Sequence, residues 1–184
     1  MKTKIQFIVA LLFLASCSQD YSPKPLGYFR IHFDDKNYQE LNLDCPFSFE
    51  IPEYTSIEKG ANDYWINLNI PQHNTTIYLT YKPINGNLEQ ILEDSHKLAY
   101  DHSIKSDGIS EQVFKNVDEK VYGVLYDITG NSASNLQFFL TDSSNHFLRG
   151  AMYVNNIPNS DSLQPVKTFI KEDIQRLMES FSWN

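Results

Sequence analysis

The sequence predicts an α+β domain, an antiparallel β-sheet packed with two main helices. Three observations carry this. Several short runs alternate apolar and polar residues, the period of a half-buried strand. Two longer stretches, one from Asn87 to His102 and one from Leu163 to Phe181, place apolar residues at helical spacing instead. The alternating runs are joined by connections of hairpin length, which link antiparallel neighbours and are too short for the crossovers of a parallel sheet.

The first strand is expected over Tyr28–Phe33, with Phe29, Ile31 and Phe33 on one face and Tyr28, Arg30 and His32 on the other. Residues 34–46 read as a polar loop. Phe47–Ile51 alternates between Pro46 and Pro52, as a short or edge strand does, because proline donates no ladder hydrogen bond. Tyr64, Ile66, Leu68 and Ile70 form the inner face of the next strand, and Trp65, Asn67 and Asn69 its outer face. Pro71–Asn74 turns the chain into Thr76–Tyr81, which completes a hairpin. Asn87 opens the first helix, with Gln90 at capping-box spacing. Glu89, Glu93 and Asp94 crowd the half of that helix where its dipole favours negative charge. Its apolar stripe is Leu88, Ile91, Leu92, Ser95, Leu98, Ala99 and His102.

Four strands follow, around Glu111–Phe114, Val121–Ile128, Asn135–Thr141 and His146–Val154, the last two joined by the polar turn Asp142–Asn145. The closing helix carries Leu163, Val166, Ile170, Ile174, Leu177 and Phe181 on one face. Pro165 is expected in its first turn, where a missing N–H does least harm. Strands, helix, strands and a closing helix that ends in Ser180-Phe181 resemble the Mog1/PsbP-like layered sandwich. Such an architecture does not fix a function.

Ahead of the first strand, Lys2 and Lys4 precede an apolar run from Ile5 to Leu14, and Leu14-Ala15-Ser16-Cys17 follows. A basic start, a short apolar core and small residues before a cut describe a secretory leader. The run is about ten residues, where a membrane-spanning helix needs about 20. The cysteine directly after Leu-Ala-Ser resembles the lipobox of bacterial lipoproteins, in which the sulfur receives a diacylglycerol and the leader is then removed. Residues 1–16 are therefore expected to be the leader, Cys17 the lipidated residue, 17–27 an extended tether and 28–184 a single globular domain. Pro23 and Pro25 stiffen the tether. Three acyl chains would anchor it firmly, since each buried methylene contributes about 0.8 kcal/mol.

The chain carries 23 acidic against 15 basic side chains, a net charge of −8, and loss of Lys2 and Lys4 with the leader takes this to −10. A binder of nucleic acid would show the opposite sign, so no nucleic acid is expected among its partners. With 41% apolar and 14% aromatic residues the chain is globular, not disordered. Cys45 has no cysteine left to pair with once Cys17 is lipidated, and is expected to be a buried, inert thiol.

The five histidines, His32, His73, His96, His102 and His146, form no His-Glu-x-x-His pattern, and no cysteine pair has zinc-ligand spacing. There is no Gly-x-Ser-x-Gly elbow and no glycine-rich phosphate loop. No catalytic residue, metal or cofactor is expected. Tyr28, Arg30 and His32 on one strand face could meet a small anion or a partner, since guanidinium and imidazole both donate. Tyr21, Tyr28 and Trp183 could form a contact patch, because aromatics are enriched in protein interfaces. A groove between sheet and helix, lined by convergent polar groups, would open a second role as a small-ligand-binding module.

The segment Tyr21-Ser22-Pro23-Lys24-Pro25-Leu26-Gly27-Tyr28-Phe29-Arg30-Ile31 resembles the opening of the gliding-motility lipoprotein family GldD, where Tyr-x-Pro-Lys-Pro-x-Gly-Tyr-Phe-Arg follows the lipobox. Pro46-Phe47-Ser48-Phe49 and Phe147-Leu148-Arg149-Gly150-Ala151-Met152-Tyr153 resemble two further segments of that family. Leu26 stands where members often carry a basic residue, and Asp34 where proline is common. The resemblance implies a Bacteroidetes-type cell-envelope lipoprotein needed for gliding motility and tied to the type IX secretion machinery. The implied partners are other gliding-motility and secretion lipoproteins or membrane components, with the membrane met through the lipid anchor. The interaction residues expected are Tyr28, Arg30, His32 and Arg149. Surface-exported lipoproteins of such bacteria resemble one another in carrying several acidic residues just after the cysteine, whereas here Asp20 stands alone. The expected location is the periplasmic face of the outer membrane.

Overall fold

The structure, a computed structural model, describes residues 30–41, 43–101, 106–156 and 159–184. The expected leader, Cys17, the tether and Tyr28 lie outside the described residues. In chain order the first strands are β1 (Tyr38–Glu40), β2 (Phe47–Ser48), β3 (Glu50–Pro52), β4 (Ser56–Lys59), β5 (Ile66–Ile70) and β6 (Thr75–Pro83). Helix α1 (Leu88–Asp101) precedes β7 (Ser106–Asn116), β8 (Val121–Gly130), β9 (Leu136–Thr141) and β10 (His146–Val154). Helix α2 (Ser160–Glu179) and the short β11 (Ser182–Trp183) close the chain.

Seven strands form one antiparallel sheet in the order β4-β5-β6-β10-β9-β8-β7. Two small ladders, β1 with β3 and β2 with β11, stand apart from it. Ile31–Asn184 make one compact unit. Strand β10 lies mid-sheet and pairs along its length with β6 and β9. The β9–β10 turn is built by Asp142, whose carboxylate accepts the backbone N–H groups of Ser144, Asn145 and His146 at 2.9, 2.8 and 2.8 Å. Partial burial works against its charge, but these donors outweigh it and bring the carboxyl down to about 2.

The strand period divides the core between two faces. On one face Leu125, Phe138, Leu140, Leu148 and Met152 of the sheet meet Val166, Ile170, Ile174 and Leu177 of α2, with Phe47, Phe49 and Phe181 stacked at the margin. Full burial of each such side chain contributes about 1.5–3 kcal/mol, so this larger cluster dominates the stability. On the other face Tyr126, Phe139 and Phe147 meet Ile91 and Ala99 of α1. Gly150 makes room for the ring of its partner on β9: a Cβ there would lie 2.2 Å from the Phe138 ring. Among the described residues no helix is long and apolar enough to cross a membrane.

Most expected elements are present, several strands running longer than the alternation marked, and five local readings need correction. Residues 30–37 join no strand, although Ile31 and Phe33 are half-buried and His32 is exposed, as their alternation required. Alternation reports which side is buried, not whether the backbone is paired. Here the segment packs by side chains: the Phe33 ring lies 4.6 Å from Phe169 and 5.2 Å from His73. Within the expected loop 34–46, Tyr38–Glu40 pairs with β3, and Phe47–Ile51 breaks into two strands. Tyr64 has φ +60° and is exposed, so β5 and its inner face begin only at Ile66. Pro165 falls beyond the first turn, because α2 already starts at Ser160. The cap explains that start: Asn159 accepts the N–H of Ser162 at 3.1 Å.

Candidate functional site

The β6–α1 connection leaves the sheet next to β10, and α1 leads to the far edge strand β7. The helix packs over β8, β9 and β10, while Tyr78 on β6 stays 41% exposed. Between the helix and the uncovered strands runs a groove of about 200 Å³. It is lined by Thr80, Lys82, Phe147 and Arg149 of the sheet, by Trp65 just ahead of β5, and by Ile91, Asp94, Ser95 and Leu98 of α1.

Arg149 reaches this groove because β10 alternates: Phe147 and Arg149 point to the α1 face, Leu148 and Gly150 to the α2 face. It sits between Thr80 of β6 and Phe139 of β9 in the ladder. The guanidinium is half-buried and donates from Nη2 to Oε1 of Gln137. No carboxylate of the described residues comes within salt-bridge distance of it. Burial lowers its proton affinity, and the Tyr153 and Tyr126 phenols only partly offset this. Gln137 itself is 1% exposed, and its Nε2 has no hydrogen-bond partner. Amide nitrogens buried in this way normally find an acceptor.

The other sequence-predicted residues fall elsewhere. Cys17 and Tyr28 lie outside the described residues. Arg30 is exposed. The side chain of His32 is 91% exposed and stands 3.7 Å from Asp34, on a segment that packs toward α2. His32 and Arg149 therefore belong to opposite sides of the sheet. Trp183 is half-buried, edge-on to Phe181 at 4.6 Å and stacked on His146 at 5.2 Å, which makes it part of the core margin and not of an open patch. Cys45 is half-buried at a loop cavity of about 420 Å³, and its thiol is pushed up by burial and then by Asp44, which keeps it protonated.

A second polar cluster lies on the α2 face. Asp173 is 3% exposed and accepts Lys36 Nζ at 2.9 Å, Tyr38 Oη at 2.9 Å and Tyr54 Oη at 2.5 Å. Lys36 Nζ also donates to the Phe169 carbonyl at 2.6 Å. Burial raises both phenols above their ordinary range, and the hydrogen bonds to Asp173 add to it, so they stay protonated donors. Each polar group has its partners, as a buried charge requires. The cluster ties the segment before β1, and the β3–β4 turn, to α2.

Sequence reasoning selected Arg149 but missed Trp65, Lys82, Ser95 and Leu98 around it. Two signals were available. Ser95 and Leu98 both belong to the helical stripe, where Ser95 is polar among apolar neighbours, and in the structure Leu98 lines the groove and stays 45% exposed.

A family model described as gliding motility lipoprotein GldD matches residues 18–183. No curated protein matches the chain.

Proposed function

The chain belongs to the gliding motility lipoprotein GldD family, and from that premise we propose that it is a non-enzymatic component that assembles or stabilises the gliding apparatus and the associated type IX secretion machinery. The family is one of lipid-anchored envelope proteins. The observation that carries the proposal is the extent of the match, which covers nearly all of the chain and begins one residue past Cys17. Cys17 is then the anchor, and the domain works on the periplasmic face of the outer membrane. Anchoring raises the effective concentration of the domain near other envelope components without any new contact. The non-enzymatic part of the proposal rests on the family. The secretion role rests on the resemblance of Tyr21–Ile31 to the family's opening segment.

The test replaces the natural gene by Cys17→Ala. The variant is expected to accumulate unacylated outside the outer-membrane fraction, to melt as the wild-type domain does, and to abolish colony spreading. Spreading at the wild-type rate by the unacylated variant would remove the anchor from the mechanism. Protease added to intact cells is expected to spare the domain; its digestion there would overturn the periplasmic assignment.

A further inference from the structure

We infer that the groove under α1 binds a small molecule bearing one carboxylate on an apolar body, with Arg149 as the carboxylate's partner. The inference goes beyond the motility reading and does not depend on it.

A guanidinium has five N–H donors in a planar fork that matches a carboxylate. Arg149 donates to Gln137, a neutral amide, and has no carboxylate partner among the described residues. A charge drawn out of water normally has a counter-charge. Here the fold holds the cation in place without supplying one. Gln137, completely buried, fixes the guanidinium from one side while its own Nε2 has no acceptor. Lys82 adds a second cation on the groove wall; Asp94 is the one acidic residue lining it, and both are exposed. The remaining walls specify the rest of the ligand. Trp65, Ile91, Leu98 and Phe147 present apolar surface, and Thr80 and Ser95 offer hydroxyls. The volume, about 200 Å³, excludes a large cofactor and lies below the roughly 300–1,000 Å³ of drug-sized pockets. Cation and apolar wall together fit a compact monocarboxylate.

The two tryptophans of the chain, Trp65 and Trp183, make a built-in test. The full chain is labelled with 5-fluorotryptophan, held in detergent micelles and titrated with 3-phenylpropionate while fluorine resonances are recorded. Trp65→Phe assigns the two signals. The expected result is a saturable shift of the Trp65 signal with Trp183 unmoved, and no saturable shift with the uncharged 3-phenylpropionamide. Arg149→Gln is expected to weaken binding at least about tenfold, the loss of one charge-assisted contact, with the Trp183 signal unchanged. If Arg149→Gln does not fold, Arg149→Lys, which keeps the charge and loses the fork, is expected to bind more weakly than wild type. The inference is overturned by any of four results. These are no saturable Trp65 shift, equal movement of both signals, an equal response to the amide, or wild-type affinity in the folded Arg149 variant.

Discussion

Asp173 and Arg149 are ionic side chains drawn out of water on opposite faces of one sheet, and they are treated differently by the fold. Asp173 is closed in by a lysine and two tyrosines, which join α2 to the chain on either side of the β1–β3 ladder. Arg149 is held by one neutral amide at the edge of a groove. A saturated buried charge serves the architecture; a charge positioned but left without a counter-ion is free to serve recognition. The apolar packing repeats the contrast. Ile170 and Ile174 on the α2 face are fully buried, whereas Leu98 on α1 is 45% exposed.

The comparison can be broken most severely at Asp173. Asp173→Ala leaves the two phenols without an acceptor, while Lys36 keeps Glu172 and the Phe169 carbonyl, and is expected to cost about 3–5 kcal/mol in denaturant unfolding. A loss below about 1 kcal/mol, the range of an exposed pair, would show that the cluster is not structural. The apolar pair comes next. Ile170→Ala is expected to cost about 2–5 kcal/mol by cavity formation, and Leu98→Ala to stay within about 0.5 kcal/mol as a surface change does. Equal costs would erase the distinction between the faces.

Acid titration sharpens the account at the β9–β10 turn. Asp142 has its carboxyl depressed from the ordinary 3.8 to about 2, so its contribution is present above the higher value and fades as pH falls through the lower. Partial exposure screens the effect to about 1 kcal/mol or less. Asp142→Asn is expected to flatten the loss of thermal stability over that window, and an unchanged acid profile would contradict the role of the turn. A small effect on stability is also expected at Arg149. In Arg149→Gln the lost bond to Gln137 is offset by relief from burying a charge, so the change should stay within about 1 kcal/mol.

The strand-and-helix order was legible because alternation and helical spacing are imposed by burial, and burial dominates this core. His146–Val154 could be delimited from sequence alone because it is paired on both sides and its apolar residues serve two packed faces. The strand expected over Tyr28–Phe33 fails at its described residues, Arg30–Phe33, for the same reason, since Ile31 and Phe33 are half-buried in alternation without a partner strand. β4, with all four residues exposed, carries no apolar pattern to find. The groove was only partly legible. Arg149 stood out in a family-like segment, but Trp65 is separated from α1 by β6, and Arg149 by β7, β8 and β9, so they meet the helix only once the sheet is formed. The Asp173 cluster could not be foreseen either, because its partners lie more than a hundred residues away along the chain.

Colony spreading of a strain whose only copy of the protein carries Arg149→Gln, with the variant confirmed at wild-type abundance in the envelope, tests most directly whether the α1 face is the working face. Spreading is expected to be lost although the protein remains folded and anchored. Spreading at the wild-type rate would contradict the account and remove the α1 face from the motility function.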